Sequence, residues 1–227
     1  MSLEQIQAIL NSWTGLSVWL VLVAISVVWV VYDLRTKNSH IASIMQWVWI
    51  LTVLYSGPIG VLVYLYSGRR QIAEDNLWRK GFRSVAHCYS GCGLGEITGV
   101  IIAVGLLAAG NFWASIITFI LAYIFGFALN LGPMMQAGTP FWEAFKGAFF
   151  AETISITVME AVAITVGLYL GGQATMGDAL FWSSLYVSLS MGLFAAWPAN
   201  LLLIQSGIKS GMADPRDLEA AASGHCH

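Results

Sequence analysis

Six apolar stretches, each able to cross ~30 Å of hydrocarbon with about 20 helical residues, follow one another along this chain. They run from Leu16 to Tyr32, Ile41 to Tyr66, Phe82 to Leu107, Phe112 to Leu131, Phe145 to Leu170 and Ala179 to Ser206. Water-facing domains carry roughly 25% charged residues, whereas here 10% are charged and 58% hydrophobic. Too little polar surface exists to cover a soluble globule, so the expected fold is all-α, a polytopic membrane helix bundle with six transmembrane helices. Residues 1–211 form that domain, and 212–227 are expected to be a short, mobile cytoplasmic tail.

The segment before Gly15 holds Glu4 and no Lys or Arg, unlike the basic opening of a secretory signal. Leu3, Ile6, Ile9, Leu10 and Trp13 recur at helical spacing, which predicts a short interfacial helix. Gly110-Asn111 marks a tight turn, and Pro58, Pro133 and Pro198 predict kinks.

Cytoplasmic loops retain Lys and Arg. With six crossings, Arg69, Arg70, Arg79, Lys80, Arg83, Lys146, Lys209 and Arg216 share one side, and Arg35 and Lys37 lie opposite. Both termini are then expected in the cytoplasm, with His40 near the opposite face. A net charge of -2 with no long basic run gives no sign of a nucleic-acid partner.

Three acids fall at membrane depth, Glu96, Glu152 and Glu160, with no Lys or Arg expected beside them. An intramembrane carboxylate marks a functional site by default, and without a base it must be protonated, hydrated or paired with a bound cation. The bland alternative is a protonated Glu bonded to a neighbouring helix.

The third span carries His87, Cys88, Cys92 and Glu96. Spacing of four aligns Cys88, Cys92 and Glu96 on one helix face, with His87 a quarter turn aside. Soft thiolates select Cu(I) or zinc, and imidazole suits either; cysteines also serve simply as small packing residues. A rise of 1.5 Å per residue puts Cys88 at about 9 Å, Cys92 at about 15 Å and Glu152 at about 11 Å from the cytoplasmic edge. Asn130, Met134, Met135, Pro198 and Asn200 return to the same half. The metal candidates are therefore His87, Cys88, Cys92, Glu96 and Glu152, with copper or zinc as the metal. Met134, Met135 and Met159 are candidate soft relays, the last two better read as packing residues. His225, Cys226 and His227 form a second cluster of soft donors in the tail. No structural disulfide is expected on the reducing side of the membrane.

Gly91, Gly95 and Gly99 form a small-residue stripe on the third span that admits another backbone. That stripe and the aromatic faces are also candidate surfaces for partner membrane subunits or a second copy, besides the lipid bilayer. No nucleophile-base pair, nucleotide loop or paired haem ligands can be assembled, so no enzyme class emerges.

Several runs resemble bacterial membrane proteins of the domain-of-unknown-function 4396 family. They are Ile44-Met45, Val48-Trp49, Leu54-Tyr55-x-Gly57-Pro58-x-Gly60, Tyr64 and Gly68-Arg69, then His87, Cys88, Gly91, Cys92, Leu94 and Gly95. Met191-Gly192, Pro198-x-Asn200 and Gly207-Ile208-Lys209-x-x-Met212 continue the resemblance. Tyr89-Ser90 replaces a small pair, and Glu96 an aspartate. The resemblance implies a bacterial inner-membrane location and the position of a site, and names no reaction. Two readings stand: a protein handling a soft metal, Cu(I) favoured, or a non-catalytic accessory subunit of a membrane complex.

Overall fold

The computed structural model describes residues 2–136 and 138–216, and every regular element among them is helical. Helix α1 (Leu3–Leu10) is opened by a capping box, in which Ser2 Oγ accepts from the Gln5 amide and Gln5 Oε1 from the Ser2 amide. Helix α2 spans Trp13–Thr36, α3 Ser43–Ser56, α4 Pro58–Ser67 and α5 Leu77–Val100, which continues as a π-helical turn over Ile101–Leu106. Helices α6 (Asn111–Gln136), α7 (Phe141–Gly171) and α8 (Ala179–Gln205) complete the bundle. Five stretches are long and apolar enough to cross a membrane: α2, α5 with its π turn, α6, α7 and α8. This is a multi-pass membrane architecture.

The stretch expected as a second span is a helical hairpin. Gly57, at φ 56° and ψ −130°, sits where a side chain is strained, and it reverses the chain between α3 and α4. The rings of Trp49 and Tyr64 lie 5.3 Å apart, and Gly68 packs against the Trp49 ring. In a continuous helix, residues 49 and 64 would be about 22 Å apart. Both hairpin ends meet the last turn of α2. The Tyr64 hydroxyl donates to Asp33 Oδ2 at 2.9 Å and Arg69 Nη2 to Asp33 Oδ1 at 3.0 Å. Asn38 adds a bond to Asp33 Oδ2 at 2.8 Å and accepts from the Arg70 amide at 3.1 Å. The tip at Gly57 reaches Val23 and Trp19, in the middle of α2. With 14 and 10 residues, α3 and α4 are each too short to cross about 30 Å.

This hairpin redistributes the charges expected from six crossings. Arg35 and Lys37, at the end of α2, lie at the same end of the bundle as Arg69 and Arg70. The Arg83 guanidinium donates to Ser67 O at 3.1 Å and Asp75 Oδ1 at 2.9 Å, Lys80 packs on Gly211, and Arg216 donates to Ala73 O at 2.8 Å. Lys146 opens α7 at this end as well, beside Gly147, which shares a cavity with Lys209. All ten Lys and Arg of the sequence therefore gather at one end, called the basic end below. His40 is there too, its Nε2 3.0 Å from Pro215 O, rather than at the opposite face.

Helix α1 lies at the other end. Gln7 Nε2 donates to Leu170 O at 3.0 Å, and Asn11 Oδ1 accepts from the Leu180 amide at 3.2 Å. The two ends of the described chain thus sit at opposite ends of the bundle, contrary to the expectation that they share one. Residues 212–216 of the expected mobile tail remain bonded to the bundle, for example through the Met212 amide and Ser84 Oγ at 3.1 Å. His225, Cys226 and His227 lie outside the described residues.

Helix α5 is the central element, and its glycines explain why. A Cβ on Gly91 would stand 2.7 Å from Gly126 Cα, on Gly95 2.4 Å from Leu121 O, and on Gly99 2.6 Å from Thr118 Cα. The stripe is filled by α6 of the same chain, so it is not left for a partner subunit or a second copy. Exposed aromatics collect in two belts, Trp13, Phe112, Trp113 and Tyr169 at one end, and Tyr32, Trp47, Trp78 and Trp142 at the basic end. Trp13 and Tyr32 are 19 residues apart on one helix, about 29 Å, matching the spacing of the two lipid interfaces.

Candidate functional site

Thiols come first, because α5 buries them completely. Cys88 and Cys92 are one turn apart with Sγ atoms 3.8 Å from each other. Both are free and buried. Room for Cys92 comes from Gly126 on α6, where a Cβ would stand 2.7 Å from the sulfur, while Ile156 of α7 closes the same spot.

Towards the basic end, a cavity of about 390 Å³ is lined by His87, Asn130, Met134, Glu152, Lys209 and Met212. Glu152 is not the uncompensated acid that the sequence implies. Lys209 Nζ reaches its Oε1 at 2.8 Å, and Asn130 Nδ2 donates to its Oε2 at 2.9 Å. Lys209 lies just beyond α8, so counting bases inside the spans misses it; a long side chain bridges the depth difference. The same ammonium donates to Asn200 Oδ1 at 2.9 Å, whose amide in turn donates to Ser155 Oγ at 2.7 Å. This network joins α6, α7, α8 and the segment after α8. Pro198, within α8, leaves a carbonyl one turn back without its usual amide donor.

Glu96 and Glu160 occupy a different setting. Glu160 is fully buried and Glu96 nearly so, at 0% and 4% exposure. Neither oxygen of Glu160 has a hydrogen-bond partner, nor has Oε2 of Glu96. The two carboxyl groups interact electrostatically, and Glu160 also with Cys88. A second cavity, about 120 Å³, runs to Glu96 from the end of the bundle opposite the basic one, past Asn111, Ser115, Thr118, Ser184 and Ser188.

The five candidate ligands are therefore divided. Cys88 and Cys92 form a pair with His87 beside them at the basic-end cavity, Glu152 is held in an ion pair, and Glu96 faces the other cavity. Among the described residues no group of three or more His, Cys, Asp and Glu is arranged to hold one metal ion. Met134 joins the basic-end cavity, whereas Met159 packs against Gly192 and Met135 is exposed. Sequence reading missed Lys209 and Met212 as site residues, although both belong to the Gly207-Ile208-Lys209-x-x-Met212 run.

Five long apolar helices with acids and thiols turned inward define a multi-pass membrane protein with a polar interior. Residues 77–209, more than half of the chain, match the family described as Domain of unknown function (DUF4396). The chain belongs to that family. The matched region begins at the first residue of α5 and ends at Lys209, so it holds nearly every group described above and none of α1 to α4. No curated protein and no solved structure matches the chain.

Proposed function

We propose that this protein binds and conducts a soft transition-metal cation, Cu(I), across the bacterial inner membrane through Cys88 and Cys92, with His87 at the entrance. The observation that carries the reading is the buried thiol pair, Sγ to Sγ 3.8 Å. Two thiols this close on one helix can both close on a single soft ion. A closed zinc site needs four soft or borderline ligands, which the described residues do not gather on one point. Cu(I) is selected by thiolates and thioethers, and Met134 and Met212 line the cavity leading to His87.

Conduction rather than storage is favoured because cavities approach the buried groups from opposite ends. Five long apolar helices with all ten bases at one end favour a cytoplasmic position for that end. The N-terminal helix then lies on the outer interface. The accessory-subunit reading keeps only the exposed aromatics, whose two belts suit lipid interfaces equally well.

Elemental analysis of protein purified anaerobically from copper- and zinc-supplemented cells tests the proposal. Wild type should carry near-stoichiometric copper, lost in Cys88→Ala/Cys92→Ala. Absence of metal from both proteins overturns it and leaves the accessory-subunit reading.

A further inference from the structure

Glu96, which lines the second cavity, and Glu160, whose buried carboxyl interacts with it, are not ligands in the thiol chemistry. We propose that Glu96 and Glu160 form a binding site for a hard divalent cation of the Mg²⁺ or Ca²⁺ kind, reached from the end of the bundle opposite the basic one.

Three carboxylate oxygens there lack any hydrogen-bond partner in side chains that are 0% and 4% exposed. Buried polar groups are otherwise nearly always satisfied, so each such oxygen calls for a proton, water or ion. No base is available to them. All ten Lys and Arg lie at the basic end, and the deepest-reaching one, Lys209, is engaged with Glu152 and Asn200.

The cavity wall also favours a cation. Ser115 Oγ donates to Asn111 O at 2.8 Å, Ser184 Oγ to Phe181 O at 2.8 Å and Ser188 Oγ to Leu185 O at 2.9 Å. With their protons spent on helix carbonyls, these three serines present oxygen lone pairs to an occupant. Carboxylates and hydroxyl oxygens suit hard cations. Two carboxylates match the charge of a divalent ion, leaving no net charge buried in a medium where charge is costly. Mg²⁺ typically keeps several waters and takes one or two carboxylates, and the adjoining cavity of about 120 Å³ has room for such waters. The site uses neither Cys88 nor Cys92 as a ligand, so it stands or falls separately from copper binding at the thiols.

The test is thermal unfolding of the full chain in detergent, titrated with MgCl₂ or CaCl₂ and compared with choline chloride at equal ionic strength. A saturable rise in Tm with a divalent ion is expected, absent with choline. Glu160→Gln and Glu96→Gln should each raise the half-saturating concentration at least about tenfold, as even changes outside the ligand set do at metal sites. Both variants remove a buried charge and keep the shape, so they should fold. Cys88→Ala/Cys92→Ala should retain the divalent effect. No divalent-specific rise in wild type overturns the proposal, because the acids are then simply protonated. So does an effect unchanged in both Gln variants, or one abolished by the cysteine substitutions.

Discussion

Replacing Lys209 by Met should destabilise the protein by about 3 kcal/mol, and adding Glu152→Gln should recover most of that loss. Lys209 and Glu152 form a 2.8 Å ion pair whose side chains are 10% and 4% exposed. Removing one partner of a buried pair costs about 3–5 kcal/mol, because the other charge is left without compensation. Two features place this case at the lower end. Asn130 still donates to Glu152 Oε2 at 2.9 Å, and the cavity of about 390 Å³ beside the pair lets water reach the orphaned oxygen. For a chain of this size each kcal/mol shifts Tm by about 2–4 °C, so Lys209→Met should melt about 6–12 °C below wild type. In the double variant no charge remains, and a neutral amide beside Asn130 should bring stability to within about 1 kcal/mol of wild type, a recovery of roughly 2 kcal/mol over Lys209→Met alone. Melting in detergent, followed by the ten tryptophans, measures all four members of the cycle. The reasoning fails if Lys209→Met lies within about 0.5 kcal/mol of wild type, the range of an ordinary surface change. It fails equally if Glu152→Gln brings no recovery.

Gly95→Ala would drive a Cβ to 2.4 Å from Leu121 O and 2.5 Å from the Ala122 backbone, where no rotamer change gives relief. Unfolding should show a loss of about 3 kcal/mol, the upper end of overpacking costs. Gly132→Ala, with nothing within 4 Å, should instead be neutral or gain up to about 1 kcal/mol in helix propensity; equal effects at the two sites would count against α5–α6 backbone contact. In a Cys226→Ser background, Ser2→Cys and Glu74→Cys should be labelled from opposite sides of the membrane in sealed vesicles, whereas same-side labelling would restore six crossings. Asp178 Oδ2 accepts from the Thr175 amide and hydroxyl, both at 2.8 Å, and these bonds hold its carboxyl below the usual range. Its contribution is present above about pH 4 and is lost as pH falls through the lowered value. Asp178→Asn should flatten the dependence of Tm on pH in that acid range, and an unchanged profile would exclude the role.

Much of the fold is legible in the residues. Hydropathy alone sets the membrane class, and five of the six expected stretches are long apolar helices at nearly their expected positions. Four-residue spacing of Gly91, Gly95 and Gly99 correctly marks α5 as the helix approached by another backbone, and Cys88 and Cys92 meet as their spacing requires. The second stretch misleads because hydropathy counts apolar residues without regard to direction. A 26-residue run from Ile41 to Tyr66 reads identically whether it crosses or doubles back. Gly57-Pro58 is the local signal, a residue free to take positive φ followed by one suited to starting a helix, though the same pair also fits a kink.

What the sequence determined by itself, then, is everything that depends on composition and on spacing along one helix: membrane residence, the buried thiol pair, and carboxylates at depth. Only the tertiary structure decided what depends on which distant segments meet. Asp33 meeting both Tyr64 and Arg69 makes the hairpin, and the hairpin moves Arg35 and Lys37 to the basic end and the N-terminal helix to the opposite one. Lys209 reaching back to Glu152 neutralises an acid that its own helix leaves unpaired, while Glu96 and Glu160 remain without a base. Helical periodicity fixes a side chain's face within its own element, but its partner comes from packing between elements far apart in the chain. Charge compensation is a property of that packing.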